Sequence, residues 1–101
     1  MKMLTKAIAK KLPAMYATEN VDAPDKTIFV KFFTPWTSWT WYGAEYDPID
    51  HRFFGYVDDG FVGGEWGYFS LTELESLVGP LGLKIERDAW FSPKKFSEIR
   101  I

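Results

Sequence analysis

The feature that most constrains this chain is where its aromatic residues lie. Fifteen of its nineteen Phe, Tyr and Trp residues fall between Phe29 and Phe69, all but Trp36 and Phe61 in four stretches that read as strands. Thr27 to Phe33 is β-branched and aromatic, with Ile28, Val30 and Phe32 on one face and Phe29, Lys31 and Phe33 on the other. Trp39 to Tyr46 alternates Trp39, Trp41, Gly43 and Glu45 against Thr40, Tyr42, Ala44 and Tyr46, so neither face is clearly polar. Arg52 to Asp58 and Glu65 to Phe69 follow, separated by the Gly- and Asp-rich stretch Asp58 to Gly64. Connections this short suit antiparallel hairpins and not helical crossovers.

Two short helices flank the strands. Thr5 to Leu12 has Thr5 as its cap, Leu4, Ile8 and Leu12 as its apolar stripe, and Pro13 as its stop. Leu71 to Val78 opens on the capping-box pair Ser70 and Glu73, buries Leu71, Leu74, Leu77 and Val78, and ends at Gly79-Pro80. Leu83 to Asp88 alternates like an edge strand, and Pro93 to Phe96 reads as a last helical turn. The fold class expected is α+β: an antiparallel sheet of about four to five strands packed with one or two short helices, in a single domain over residues 1–101.

Burying an aromatic ring hides about 150–250 Å², so nineteen would consume roughly 2,900–4,800 Å², a large share of what 101 residues can bury. Some rings are therefore expected at the surface. The segment Pro35 to Tyr42 holds three Trp and a Tyr in eight residues, and three readings compete for it: sheet core, protein contact surface, or a platform for stacking single-stranded bases. Charge bears on the choice. The formal net charge of −2 conceals an uneven chain, with residues 1–43 at +3, residues 44–75 at −7 and residues 76–101 at +2. An acidic middle third repels phosphates and attracts a basic protein surface. Direct nucleic-acid binding is accordingly not favoured.

Catalytic patterns are sparse. His51 is the only histidine, within Asp47-Pro48-Ile49-Asp50-His51-Arg52, and no nucleophile or Lys base accompanies it at a recognisable spacing. Asp58, Asp59 and Glu65 surround glycines without the spacing of a calcium loop, and Gly60, Gly63 and Gly64 fit neither phosphate-binding fingerprint. With no cysteine, thiolate metal sites, disulfides and cysteine nucleophiles are excluded. No cofactor, metal ligand set or catalytic residue is assigned. The longest uncharged run, Phe32 to Ala44, is interrupted by Pro35 and too short to span a bilayer. The first twenty residues carry four lysines and no apolar core of a signal peptide, so the expected address is cytoplasmic, without membrane association.

Gly67-Tyr68-Phe69-Ser70-Leu71-Thr72-Glu73-Leu74-Glu75, followed by Gly79-Pro80-Leu81-Gly82-Leu83-Lys84-Ile85-Glu86-Arg87-Asp88 with Phe91 and Pro93, resembles the small bacterial proteins grouped as domain of unknown function 2958. Leu4-Thr5, Lys11-Leu12-Pro13, Val30 to Pro35 and Trp39 to Tyr42 are similar to the same family. The resemblance carries no catalytic residues with it. It implies a small accessory protein of plasmids, integrative elements and phage-like DNA that works with a larger nucleic-acid-handling machine.

These observations together lead to the expectation of a non-enzymatic protein that binds a larger partner with a basic surface, of the CRISPR or restriction effector kind. Trp36, Trp39 and Tyr42 are the expected anchors, with Asp47, Asp50, Asp58 and Asp59 steering the encounter. A symmetric homodimer covering an aromatic patch is a further arrangement. The alternatives are a metal-assisted hydrolase, using the acids near His51 and the Asp58 to Glu65 loop, and a single-strand nucleic-acid-binding module.

Overall fold

The computed structural model describes residues 2–99. Helix α1 spans Lys6–Lys11, and the strands are β1 Thr27–Ile28, β2 Val30–Phe33, β3 Thr40–Asp47, β4 Arg52–Asp58 and β5 Gly64–Ser70. Helix α2 is Leu71–Ser76, and two-residue strands β6 Glu86–Arg87 and β7 Lys94–Lys95 follow. The main sheet is antiparallel with the order β5-β4-β3-β2-β6, and β1 pairs separately with β7. The α+β class and the five-strand sheet match the sequence expectation.

Both helices form where their caps place them. The Thr5 hydroxyl accepts from the Ile8 N–H, and the Ser70 hydroxyl accepts from the Glu73 N–H. Each helix is only six residues long, so packing and not propensity holds it. Both lie on one face of the sheet, where Leu4, Leu12, Leu71, Leu74 and Ile85 close over Val30, Phe32, Trp41, Tyr46 and Phe53. α2 stops at Ser76, two residues short of the predicted end. Leu77 and Val78 are exposed, because the chain turns at Leu77 into extended backbone and Val78 bridges to Lys84. The helical turn expected at Pro93 begins instead at Phe96, after β7 has paired with β1.

The opposite face of the sheet is also covered, which accounts for the lack of a polar face in β3. Tyr42, Ala44 and Ile28 pack there with Tyr56, Trp66, Phe91, Phe96 and Ile99, so the C-terminal segment serves as the second layer. Within β3 a bulge interrupts the register, Gly43 pairing with Gly55 but Glu45 with Phe54. The extra residue reverses the alternation that the sequence suggests. Tyr46 therefore joins Trp41 on the helix-covered face, and Glu45 joins Tyr42 on the other.

Candidate functional site

The β3–β4 hairpin divides the predicted site residues between its two ends. The turn Pro48–His51 lies at one, the loop Asp59–Gly63 at the other, and β4 holds them about 20 Å apart. Asp47 and Asp50 belong to the turn, Asp58 and Asp59 to the loop. The acidic middle third is thus not one surface, and only Asp58 and Asp59 lie near the Trp cluster. The separation also keeps the acids beside His51 away from the Asp58 to Glu65 loop, as a shared metal centre would not allow.

At the turn end the polar groups bond to their own chain. The Asp47 carboxylate accepts from the N–H groups of Ile49 (2.9 Å) and Asp50 (3.4 Å), and the first of these bonds chiefly holds its pKa below the ordinary carboxylate value. The Tyr46 hydroxyl lies 3.1 Å from His51 Nδ1, and burial pushes its phenol up. Beside this turn, Glu45 is only 3% exposed. Its carboxylate accepts from the backbone N–H of Tyr16 (2.8 Å) and of Thr18 (3.0 Å), and from the Thr18 hydroxyl. The Lys26 ammonium donates to the Thr18 carbonyl and hydroxyl and sits over the Phe54 ring. A cavity of about 380 Å³ opens here between Tyr16, Glu19, Lys26, Glu45, Phe54 and Tyr68. Hydrogen bonding of the Tyr68 hydroxyl to the Tyr16 phenol oxygen, which favours the protonated form, is the main cause that raises the Tyr68 phenol above its ordinary value. Sequence reasoning missed this network, since Glu45 and Thr18 are 27 residues apart and nothing in their spacing signals a contact.

At the loop end the arrangement is open. The connection Thr34–Trp39 is a built turn, in which the Thr34 N–H donates to the Trp39 carbonyl (3.1 Å), the Trp39 N–H donates to the Thr37 hydroxyl (3.1 Å), and the Thr34 and Thr37 hydroxyls bond each other. That turn fixes Trp39, which is 43% exposed and stacks on buried Trp41 with ring centroids 5.8 Å apart. Lys31, Phe33, Trp39, Thr40 and Asp88 line a groove of about 390 Å³ beside it. Asp88 pairs with Lys31 at 3.8 Å and accepts from the Trp90 N–H.

The loop Asp59–Gly63 packs against this turn, for a Cβ on Gly60 would meet the Ser38 side chain at 2.2 Å, and Gly60 adopts a φ of +83° that a side chain disfavours. Asp58 accepts from the Gly60 N–H and Asp59 from the Phe61 and Val62 N–H groups, so both carboxylates stay at the surface. Phe61 and Val62 are 85% and 91% exposed next to them.

Of the three expected anchors, Trp39 alone presents a free ring. Trp36 is half-buried against the helix-side core and against Gly79, where a Cβ would come within 2.4 Å of the indole. Tyr42 is corrected outright: at 4% exposure it is core, packed with Ile28 and Ala44, and burial followed by the Asp58 carboxylate raises its phenol. Phe61 and Val62 were not anticipated. Their signal in the sequence was two apolar residues within a run of Asp and Gly.

A family model described as protein of unknown function (DUF2958) matches residues 3–98, and the chain belongs to that family. No curated protein and no solved structure matches it.

Proposed function

We propose that this member of the family is a non-enzymatic accessory protein that docks on a larger protein partner through its loop end. The observation that carries the reading is the exposed ring of Trp39, fixed by its turn and stacked on a core residue, among exposed Phe61 and Val62 and the surface carboxylates of Asp58 and Asp59. An aromatic with little conformational freedom left to lose is what binding hot spots use, and a rim of acids selects a basic surface. The nature of that partner, a CRISPR or restriction effector acting in the cytoplasm and encoded with mobile DNA, rests on the family resemblance alone. Acids around the Trp39 ring weigh against the single-strand alternative, since stacking platforms work in basic grooves.

The test is affinity capture from the native host with three baits: wild type, Trp39→Ala, and Asp58→Asn with Asp59→Asn. A basic protein recovered with wild type and lost with Trp39→Ala supports the reading, and the Asn pair should slow its association and flatten its salt dependence. Equal recovery by wild type and Trp39→Ala overturns it. So does retardation of single-stranded DNA by the purified protein at low salt.

A further inference from the structure

The far edge of the sheet, opposite β6, is strand β5, seven residues long and, among the described residues, paired on one side only. Natural edge strands are blunted by Lys, Pro, bulges or a covering segment. β5 reads Gly-Glu-Trp-Gly-Tyr-Phe-Ser, with one charge, no proline, and continuous pairing to β4 from Ser70 to Gly64. Its hydrogen-bonding phase follows from its end: the Leu71 N–H donates to the His51 carbonyl at 2.8 Å, which makes Phe69, Gly67 and Glu65 the residues that bond inward to β4. The backbone N–H and C=O of Trp66 and Tyr68 consequently point outward, and no other backbone group among the described residues meets them.

Gly67 is a second observation. Its φ is not left-handed, and a Cβ built on it has nothing within 4 Å, so neither conformation nor space in the single chain calls for glycine. Its cross-strand neighbour Gly55 is different, because a Cβ there would meet the Tyr42 carbonyl oxygen at 1.8 Å. Glycine in a strand interior is a cost that marks close approach of another backbone.

We infer that β5 pairs antiparallel with β5 of a second copy of this chain, about a two-fold axis at Gly67, to join two five-stranded sheets into one. This register sets the outward-bonding residues Trp66 and Tyr68 against each other, as the phase requires, and brings Gly64, whose N–H already donates to the Tyr56 hydroxyl at 3.0 Å, opposite Ser70. Gly67 faces its own copy as a non-hydrogen-bonded pair, where Cα atoms approach to about 4.5 Å. Glu65 faces Phe69 and not another Glu65. At each end of the joined sheet Arg52 of one copy shares a cross-strand row with Asp58 of the other, with only Ser70 and Gly64 between, about 14 Å apart and of opposite sign. An isologous contact of this kind closes at two copies. It leaves the loop end free for the partner proposed above, on which it does not depend.

Gly67→Glu tests the axis, because the single chain has room for the side chain while the dimer sets two carboxylates directly opposite. Sedimentation of wild type should show mass rising from 11.7 kDa to twice that by about 100 μM, and Gly67→Glu should weaken association at least about tenfold with an unchanged far-UV spectrum. Mixing Gly67→Glu with Gly67→Lys should restore a dimer. Gly67→Cys, the only thiol in the chain, should form a disulfide-linked dimer under oxidised glutathione, while Ile49→Cys on the exposed turn should not. A wild-type monomer at every concentration overturns the inference and leaves the edge to a strand from a different protein. A dimer indifferent to Gly67→Glu overturns it by placing the contact elsewhere.

Discussion

The two ends of the β3–β4 hairpin are made from the same kinds of residue and treat them oppositely. At the turn end Asp47, Asp50 and the exposed Ile49 stay at the surface, but behind them Glu45 and Lys26 are buried and spend their hydrogen bonds on Thr18 and Tyr16, clamping the segment that leads out of α1. At the loop end, charge is turned outward, and so are Trp39, Phe61 and Val62. The difference follows from strand lengths. β2 pairs with β3 only from Gly43 back to Thr40, so the rest of β3 has a free flank, which Pro13 fills by accepting from the Tyr46 N–H at 3.0 Å. Among the described residues no comparable segment bonds to the loop between β4 and β5, which meets only the short Thr34–Trp39 turn at Gly60. One end of the hairpin is thus built to hold the fold, and the other keeps apolar surface that the fold itself does not use.

The most damaging way to break this comparison is at the turn end. Glu45→Ala would leave the Tyr16 and Thr18 N–H groups and the Thr18 hydroxyl without their acceptor, and strand the buried Lys26 ammonium close by. The expected loss is about 3 kcal/mol, roughly 15 °C in Tm by calorimetry. A loss near zero would mean that the clamp is ornamental and the two ends do not differ. Next in size is Gly79→Ala, which pushes a methyl into the Trp36 indole and should cost about 1–3 kcal/mol by denaturant titration. It tests whether Trp36 is a structural support of the loop end or a ring that can move aside for a partner; a silent substitution favours the second.

A subtler contrast lies in the two buried phenols, Tyr42 and Tyr46. Both are pushed up by burial, Tyr42 with help from Asp58 at the loop end and Tyr46 from Glu75 and Asp47. A phenol raised in the folded state keeps its proton when the unfolded chain has lost it. Stability is therefore full below pH about 10 and falls as pH climbs past that value. Tyr42→Phe and Tyr46→Phe should each flatten the decline of Tm between pH 9 and 11. Tyr46→Phe should also lower Tm at neutral pH, since it deprives His51 of the hydroxyl beside its Nδ1. Equal alkaline slopes in wild type and both variants would refute the shared cause.

The fold was legible wherever local chemistry decides it. Thr5 and Ser70 cap helices because a hydroxyl three residues before a free N–H is a local event, and the main strands were visible as aromatic and β-branched runs. Thr27–Phe33 nevertheless divides at Phe29 into β1 and β2, which sets Ile28 on the face opposite Val30 and Phe32. The site was less legible, for a reason that can be located at Ala44. A single bulged residue exchanges the faces of Glu45 and Tyr46, and no composition rule announces it. Tyr42 was misplaced because neither face of β3 reads as polar, so its alternation does not say which rings are covered, and the C-terminal residues Phe91, Phe96 and Ile99 return over this one. The division of the acids between two ends was likewise invisible. Asp47 and Asp58 are eleven positions apart in a chain whose net charge gives no direction.

Trp39→Ala is the smallest perturbation of the fold and the sharpest of the comparison. The ring is nearly half exposed, and its one aromatic contact is the stack on Trp41, a pair worth about 0.5–1.5 kcal/mol beyond the area it covers. The turn that carries it is tied by backbone and threonine bonds that alanine retains, including the Trp39 N–H to the Thr37 hydroxyl. Stability should therefore fall by only about 1 kcal/mol, a few degrees in Tm, while affinity for a partner seated on the ring should fall by at least about 2 kcal/mol, some thirtyfold. The two numbers move independently only if the ring serves binding more than folding. Should Tm drop as far as it does in Glu45→Ala, the loop end would be a second clamp, and the asymmetry between the ends would be one of exposure and not of purpose.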